Sequence, residues 1–198
     1  AENSLPIHVA SMEGLMKSLL AKYGSDIREG DLYVANDPHT AGGTHLPDIN
    51  LALPVFREGR LIGFVANIAH HADVGGMAPG SMSGGMTEIF QEGLRIPVIR
   101  LFKEGVLDEE LFDLILLNVR LPVERRGDYY AQIAGCRLGA RRLGEVIDRY
   151  GAAATERGFE QIRERSAERM RNAIAGIPEG VYRFEDAMDD DGVGNEHL

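Results

Sequence analysis

The sequence predicts an α+β fold: a β-hairpin-containing sheet with packed helices, including a long antiparallel helix pair toward the C-terminus. Three observations carry that prediction. The apolar runs INLALPVF and LIGFVANIA flank the polar quartet Arg57-Glu58-Gly59-Arg60, the pattern of two strands around a tight turn. Met12, Leu15, Met16, Leu19 and Leu20 recur at helical spacing near the start. Tyr129, Ile133, Cys136, Ala140, Leu143, Ile147 and Tyr150 step alternately by three and four, with a second helical stretch after them.

Taken in order, Ser11 is placed to cap a helix over roughly residues 12–23, and Gly24 to stop it. DLYVAN, residues 31–36, reads as a short strand running into the turn Asn36-Asp37-Pro38. The two hairpin runs do not alternate cleanly between apolar and polar, so both faces of the sheet are expected to be covered. Residues 75–100 form a glycine-rich ordered loop that leads into a short strand. Asp108 caps a helix through about Val119, which Leu121-Pro122 ends. In the next helix Gly135 and Gly139 would let a neighbouring element approach closely. A last helix over about Ala152–Ala175 is expected to fold back on it across the joint Ala152–Ala154. GVYRFEDAMDDDG then reads as a strand entering an acidic turn. Three regions follow: residues 1–105 mixed α/β with the candidate site, 106–176 helical, and 177–198 strand and acidic tail.

Composition limits the functional classes. The 198 residues are 44% hydrophobic and 26% charged, enough to build a core. Acidic residues outnumber basic ones 31 to 21, for a formal charge of -10, which argues against nucleic-acid binding. Arginines between Arg120 and Arg171 are interleaved with glutamates, as on a solvated helix surface. No stretch is long and apolar enough to span a bilayer, so no membrane partner is expected. Cys136 is the single cysteine, placed as a small apolar filler, and a reducing compartment suits it. No secretory signal is visible in AENSLPIHVASMEG, and a cytoplasmic location is the resulting expectation.

The chemistry concentrates at the two ends of the hairpin. Asp48 stands just before the first strand and His70 just after the second; antiparallel pairing makes those ends neighbours about 5 Å apart. His45, three residues before Asp48, completes a set of two imidazoles and one carboxylate. Such a facial set binds a divalent ion and leaves positions open, as a catalytic metal requires. Zinc, manganese and iron all suit it. His71 and Asp73 are the candidate catalytic proton-transfer groups beside it. The same residues are also compatible with plain turn and capping chemistry. Asn36 and Asp37 are expected to make a turn, His39 is a weaker ligand candidate, and His8 and His197 are set aside. Ser81 lacks a base and an orienting acid, and no glycine-rich stretch matches a Walker A loop or a dinucleotide fingerprint. From the ligand types alone, a non-haem iron oxygenase is a rival reading.

The stretches NDPHTAGGTHLPDI, AHHADVGGMAPGSM, EIFQEGLRIP and NVRLPVERRGDYYAQIAGCRLGARRL resemble the hydantoinase B/5-oxoprolinase family. That family holds the B-type subunit of N-methylhydantoinase and related subunits of acetone and acetophenone carboxylases. The resemblance runs from about Leu5 to about Gly192. It implies metal ligation by His45, Asp48 and His70, and a partner A-type subunit that uses ATP to activate the substrate. The implied activity is hydrolytic opening of a cyclic amide. Carboxylation of a ketone is the alternative branch, and a non-catalytic docking piece, inactive alone, the other. Family members are far longer, so the chain is expected to be an N-terminal fragment. At His39 the family more often has tyrosine, which leaves open an extra metal contact or a tolerated swap.

Overall fold

A computed structural model describes residues 6–187 of the chain. The first helix, α1 (Pro6–Tyr23), begins at a proline rather than near residue 12. Proline suits a first helical turn, where its missing N–H removes a donor that would have no partner. Gly24, at a φ of 48°, ends the helix, its N–H donating to the Leu20 carbonyl at 2.9 Å.

Five strands follow: β1 (Leu32–Ala35), β2 (Asp48–Arg57), β3 (Arg60–His70), β4 (Ile99–Lys103) and β5 (Val106–Leu107). They form one antiparallel sheet in the order β3-β2-β1-β4-β5. The expected hairpin is β2–β3. Its two turn residues, Glu58 and Gly59, have φ of 51° and 73°, the signs that a two-residue type I′ turn demands.

Both faces of the sheet are covered, as the lack of alternation implies. Leu15 and Leu19 of α1 pack with Tyr33, Ala35, Ala52 and Val98 on one face. On the other, Ile49, Leu51 and Leu101 pack with Phe112 and Ile115 of α2 (Glu109–Leu117) and Tyr129, Ile133 and Cys136 of α3 (Pro122–Tyr150). Asp108 caps α2 by accepting from the Leu111 N–H at 3.1 Å. Side chains alternate along a strand, so Asp48 and Asn50 share the α1 face with Ala52, and Ile49 and Leu51 take the other. Gly139 sits where a Cβ would lie 2.7 Å from Val65 Cγ1, so the predicted close approach is between α3 and β3. Cys136 is fully buried in this core, and desolvation pushes its thiol pKa up to about 11, as befits a filler.

The chain divides into two compact units, Ala1–Glu145 and Val146–Leu198. The expected divisions at residues 105 and 176 give way to this one because α2 and most of α3 share the sheet's core. Where the sequence places a joint at Ala152–Ala154, those residues are already helical in α4 (Ala152–Ala175), and Gly151 alone precedes it. An antiparallel helix hairpin uses a loop of two to five residues, and the apolar positions Phe159, Ile162, Met170 and Ile174 of α4 are exposed. The expected seam is therefore not closed along α4. The strand expected from Gly180 onward is irregular chain through Ala187, with Val181, Tyr182 and Phe184 exposed. The acidic turn expected at Asp189–Asp191 lies outside the described residues. Among the described residues, no helix is long and apolar enough to cross a membrane.

Candidate metal centre

The register of the hairpin builds the site. Asp48, the first residue of β2, is paired directly with His70, the last of β3. His45 reaches them through a tight turn closed by the Asp48 N–H donating to the His45 carbonyl at 3.1 Å. Asn36 anchors that turn from the sheet. Its Nδ2 donates to the carbonyls of Leu46 at 2.8 Å and Leu94 at 2.9 Å, and its Oδ1 accepts from Ile96 N at 2.6 Å. The expected turn role of Asn36 is thus that of a cross-link between two loops.

One donor atom from each of His45, Asp48 and His70 lies within 4.8 Å of the others. His45 Nε2 stands 3.2 Å from Asp48 Oδ2, and the His45 and His70 ring centroids are 5.0 Å apart. Asp48 is 1% exposed, whereas His45 is partly open and His70 is exposed. Asp48 Oδ2 is engaged by Thr44 Oγ1, while the buried Oδ1 has no protein partner. Leaving a buried carboxylate oxygen unsatisfied is costly. A divalent cation relieves that cost, and two imidazoles with one carboxylate suit zinc, manganese or iron. The donor set therefore fits the group that the residue types suggest.

His71 and Asp73 lie elsewhere, and strand parity explains it. His71 follows His70, so its ring turns to the α3 face. There it is 2% exposed, 2.8 Å from Gln132 Oε1 through Nε2, and 4.6 Å from the Tyr129 ring centroid. Desolvation lowers its pKa against the opposing hydrogen bond from Gln132, which favours the neutral ring. Gln132 Nε2 in turn donates to Ile49 O at 3.0 Å and Asn67 Oδ1 at 3.1 Å, tying α3 to both hairpin strands.

Asp73 organises the glycine-rich loop. Its Oδ1 accepts from Gly75 N and Arg120 N, both at 2.9 Å, and its Oδ2 from Gly80 N at 3.0 Å and Arg120 Nη1 at 2.9 Å. Burial alone would raise its pKa; these donors and the guanidinium charge outweigh burial and hold it below the usual carboxylate range. Ser81 completes the loop at a φ of 59°, donating to Gly75 O at 2.8 Å and accepting from Val74 N at 2.7 Å.

His39 is exposed and outside the cluster, and Asp37 is paired with Arg95 at 2.7 Å. His197 lies outside the described residues. His8, set aside on sequence, stands 3.4 Å from Asp48 Oδ2 through Nε2. Its signal is its place two turns before Leu15 on the buried stripe of α1. A cavity of about 510 Å³ adjoins the cluster, bordered by His45, Ser81, Met82, Ser83, Met86 and Glu92.

The family model described as hydantoinase B/oxoprolinase matches residues 1–197. The caprolactamase subunit beta of Pseudomonas jessenii is 33% identical over 190 residues, covering 96% of this chain and 32% of that protein. The crystal structure of the ATP-dependent caprolactamase from the same organism matches with a TM-score of 0.82 at 34% identity, over 88% of this chain and 30% of the other. The nucleotide-free structure of an acetone carboxylase matches with a TM-score of 0.70 at 28% identity, over 76% of this chain and 20% of the other. The chain spans about a third of the length of the curated subunits it matches, 31% to 32%.

Proposed function

Because the chain belongs to the hydantoinase B/oxoprolinase family, we propose that it is the cation-holding portion of a B-type subunit that opens cyclic amides after ATP-dependent activation by an A-type subunit. The convergence of His45, Asp48 and His70 around an unpartnered buried carboxylate oxygen is the observation that supports this reading. In it, the three residues hold a divalent ion, and two neutral imidazoles against one carboxylate leave net positive charge at the site. Such an ion, when bound, supplies electrostatic stabilisation of negative charge developing on a substrate oxygen.

The chain's own residues do the rest. Asn36 and the β2–β3 register hold the ligand turn in place. The adjoining cavity is of the size that takes a small molecule, and its Met82 and Met86 side chains can adapt to an apolar ring. Asp73, Arg120 and Ser81 keep the cavity wall in shape. His71 sits in a dry pocket against Gln132 and Tyr129 and positions the end of β3. The proton-transfer role expected of His71 and Asp73 has no place in this reading.

The likeness to acetone carboxylase supports a second reading, in which the same site serves addition of a carboxyl group to a ketone. The deciding assay uses the complete subunit with its A-type partner and ATP, offered either a cyclic amide or a ketone with bicarbonate. Turnover of the amide, with loss of both bound metal and turnover in His45→Ala and His70→Ala, is the expected result. Full metal content in both variants would remove the site; turnover of the ketone alone would move the chain to the carboxylase branch.

A further inference from the structure

The helix α1 carries a residue that the cation site uses and that the ligand pattern does not include. On α1, Leu15 and Leu19 are 1% and 0% exposed, so the stripe through them faces the sheet. Stepping back seven residues, two turns, from Leu15 reaches His8 on that same stripe. The α1 face of β2 carries Asp48, and His8 Nε2 meets Asp48 Oδ2 at 3.4 Å, with the imidazole 24% exposed.

Backbone packing fixes where α1 can present this ring. Gly42, at a φ of 71°, lies so close to α1 that a Cβ on it would sit 2.5 Å from Gly14 Cα. A Cβ on Gly14 would likewise sit 2.8 Å from Gly42 Cα. Gly42 is only three residues ahead of His45, so this contact docks α1 against the very loop that bears a ligand. His8 lies six residues before Gly14 along the helix, about 9 Å at the helical rise. Its approach to Asp48 is therefore set by the same joint that sets His45.

The two oxygens of Asp48 are treated differently. Oδ2 is met by His8 and His45 and accepts from Thr44 Oγ1, while Oδ1 is buried with no partner. We propose that His8 is a positioning residue of the cation site: its Nε2–H holds Asp48 Oδ2 and thereby leaves Oδ1 free for the ion. A carboxylate ligand needs such support, because an unsupported one can rotate and lose its binding geometry; outer partners of this kind typically contribute about tenfold to a hundredfold in metal affinity. The inference rests on the assignment of His45, Asp48 and His70 as ligands.

The test is calorimetric titration of the complete metal-free subunit with Mn²⁺ and with Zn²⁺, comparing wild type, His8→Ala and His8→Gln, with thermal unfolding of each metal-free form. Gln retains an N–H donor at a similar reach. His8→Ala is expected to weaken affinity by about tenfold to a hundredfold, and His8→Gln to restore most of it, with metal-free unfolding unchanged in both. Unchanged affinity in His8→Ala overturns the positioning role and leaves the three-ligand site standing. Affinity as weak in His8→Gln as in His8→Ala also overturns it, since a donor at this place then does not suffice. Absence of binding by the wild type overturns the ligand assignment itself, and this inference with it.

Discussion

His70 and His71 are adjacent in the chain yet serve opposite faces of one sheet, and a period of two is the whole reason. Gln132 bridges the buried face by bonding His71, Asn67 and the Ile49 carbonyl. Gln132→Leu strands those buried groups and is expected to lower stability by about 1–3 kcal/mol in denaturant unfolding. Asp73 gives a pH prediction. Its pKa is depressed in the folded state, so its contribution is full above the ordinary carboxylate pKa and is lost as pH falls through the folded value. Thermal unfolding followed from about pH 7 down to pH 3 should show a smaller acid-induced loss in Asp73→Asn than in wild type, from a lower starting stability. Of these residues, His45, Asp48 and His70 were legible because hairpin pairing alone brings them together. The separation of His71 was also legible, had strand parity been followed one residue past His70. The structural role of Asp73 was not, because its partner Arg120 is 47 residues away and no local pattern links them.

At the scale of elements, the helices and the hairpin announce themselves by periodicity, while their ends depend on contacts that periodicity does not contain. The early start of α1 is an example: a proline that opens a helix and one that breaks a strand look alike until the helix docks. The tail from Gly180 is the reverse case. Val181, Tyr182 and Phe184 have strand-like character, but a strand requires a partner to satisfy its backbone, and through Ala187 the chain stays irregular. The close approach of α3 to β3 was readable from its glycine spacing and gives a sharp test. Gly139→Ala places a methyl group 2.7 Å from Val65 Cγ1. Overpacking of about 1–3 kcal/mol should outweigh the gain in helix propensity of about 1 kcal/mol. In the double variant with Val65→Ala, part of that loss should return, a coupling measurable by a double-mutant cycle.

For the molecule as a whole, one sheet covered on both faces forms the rigid frame of the first unit, and the candidate site sits at the open end of its longest hairpin. The second unit is of a different character: of α4, Thr155 is buried, while Phe159, Ile162, Met170 and Ile174 are exposed. Few buried contacts mean low local stability, so amides of α4 are expected to exchange with solvent faster than those around Tyr129 and Ile133 in α3. Equal protection of the two stretches would contradict this. The interleaved charges of α4 made it legible as a helix; its lack of cover was not, since an apolar stripe reads the same whether or not a neighbour meets it. The most direct test of the site is the X-ray absorption spectrum of the complete subunit loaded with one equivalent of Zn²⁺. Two imidazole contributions and a carboxylate oxygen are expected, with His45→Ala and His70→Ala each losing one imidazole; a spectrum without imidazole scattering, or one unchanged in both variants, would contradict the assignment.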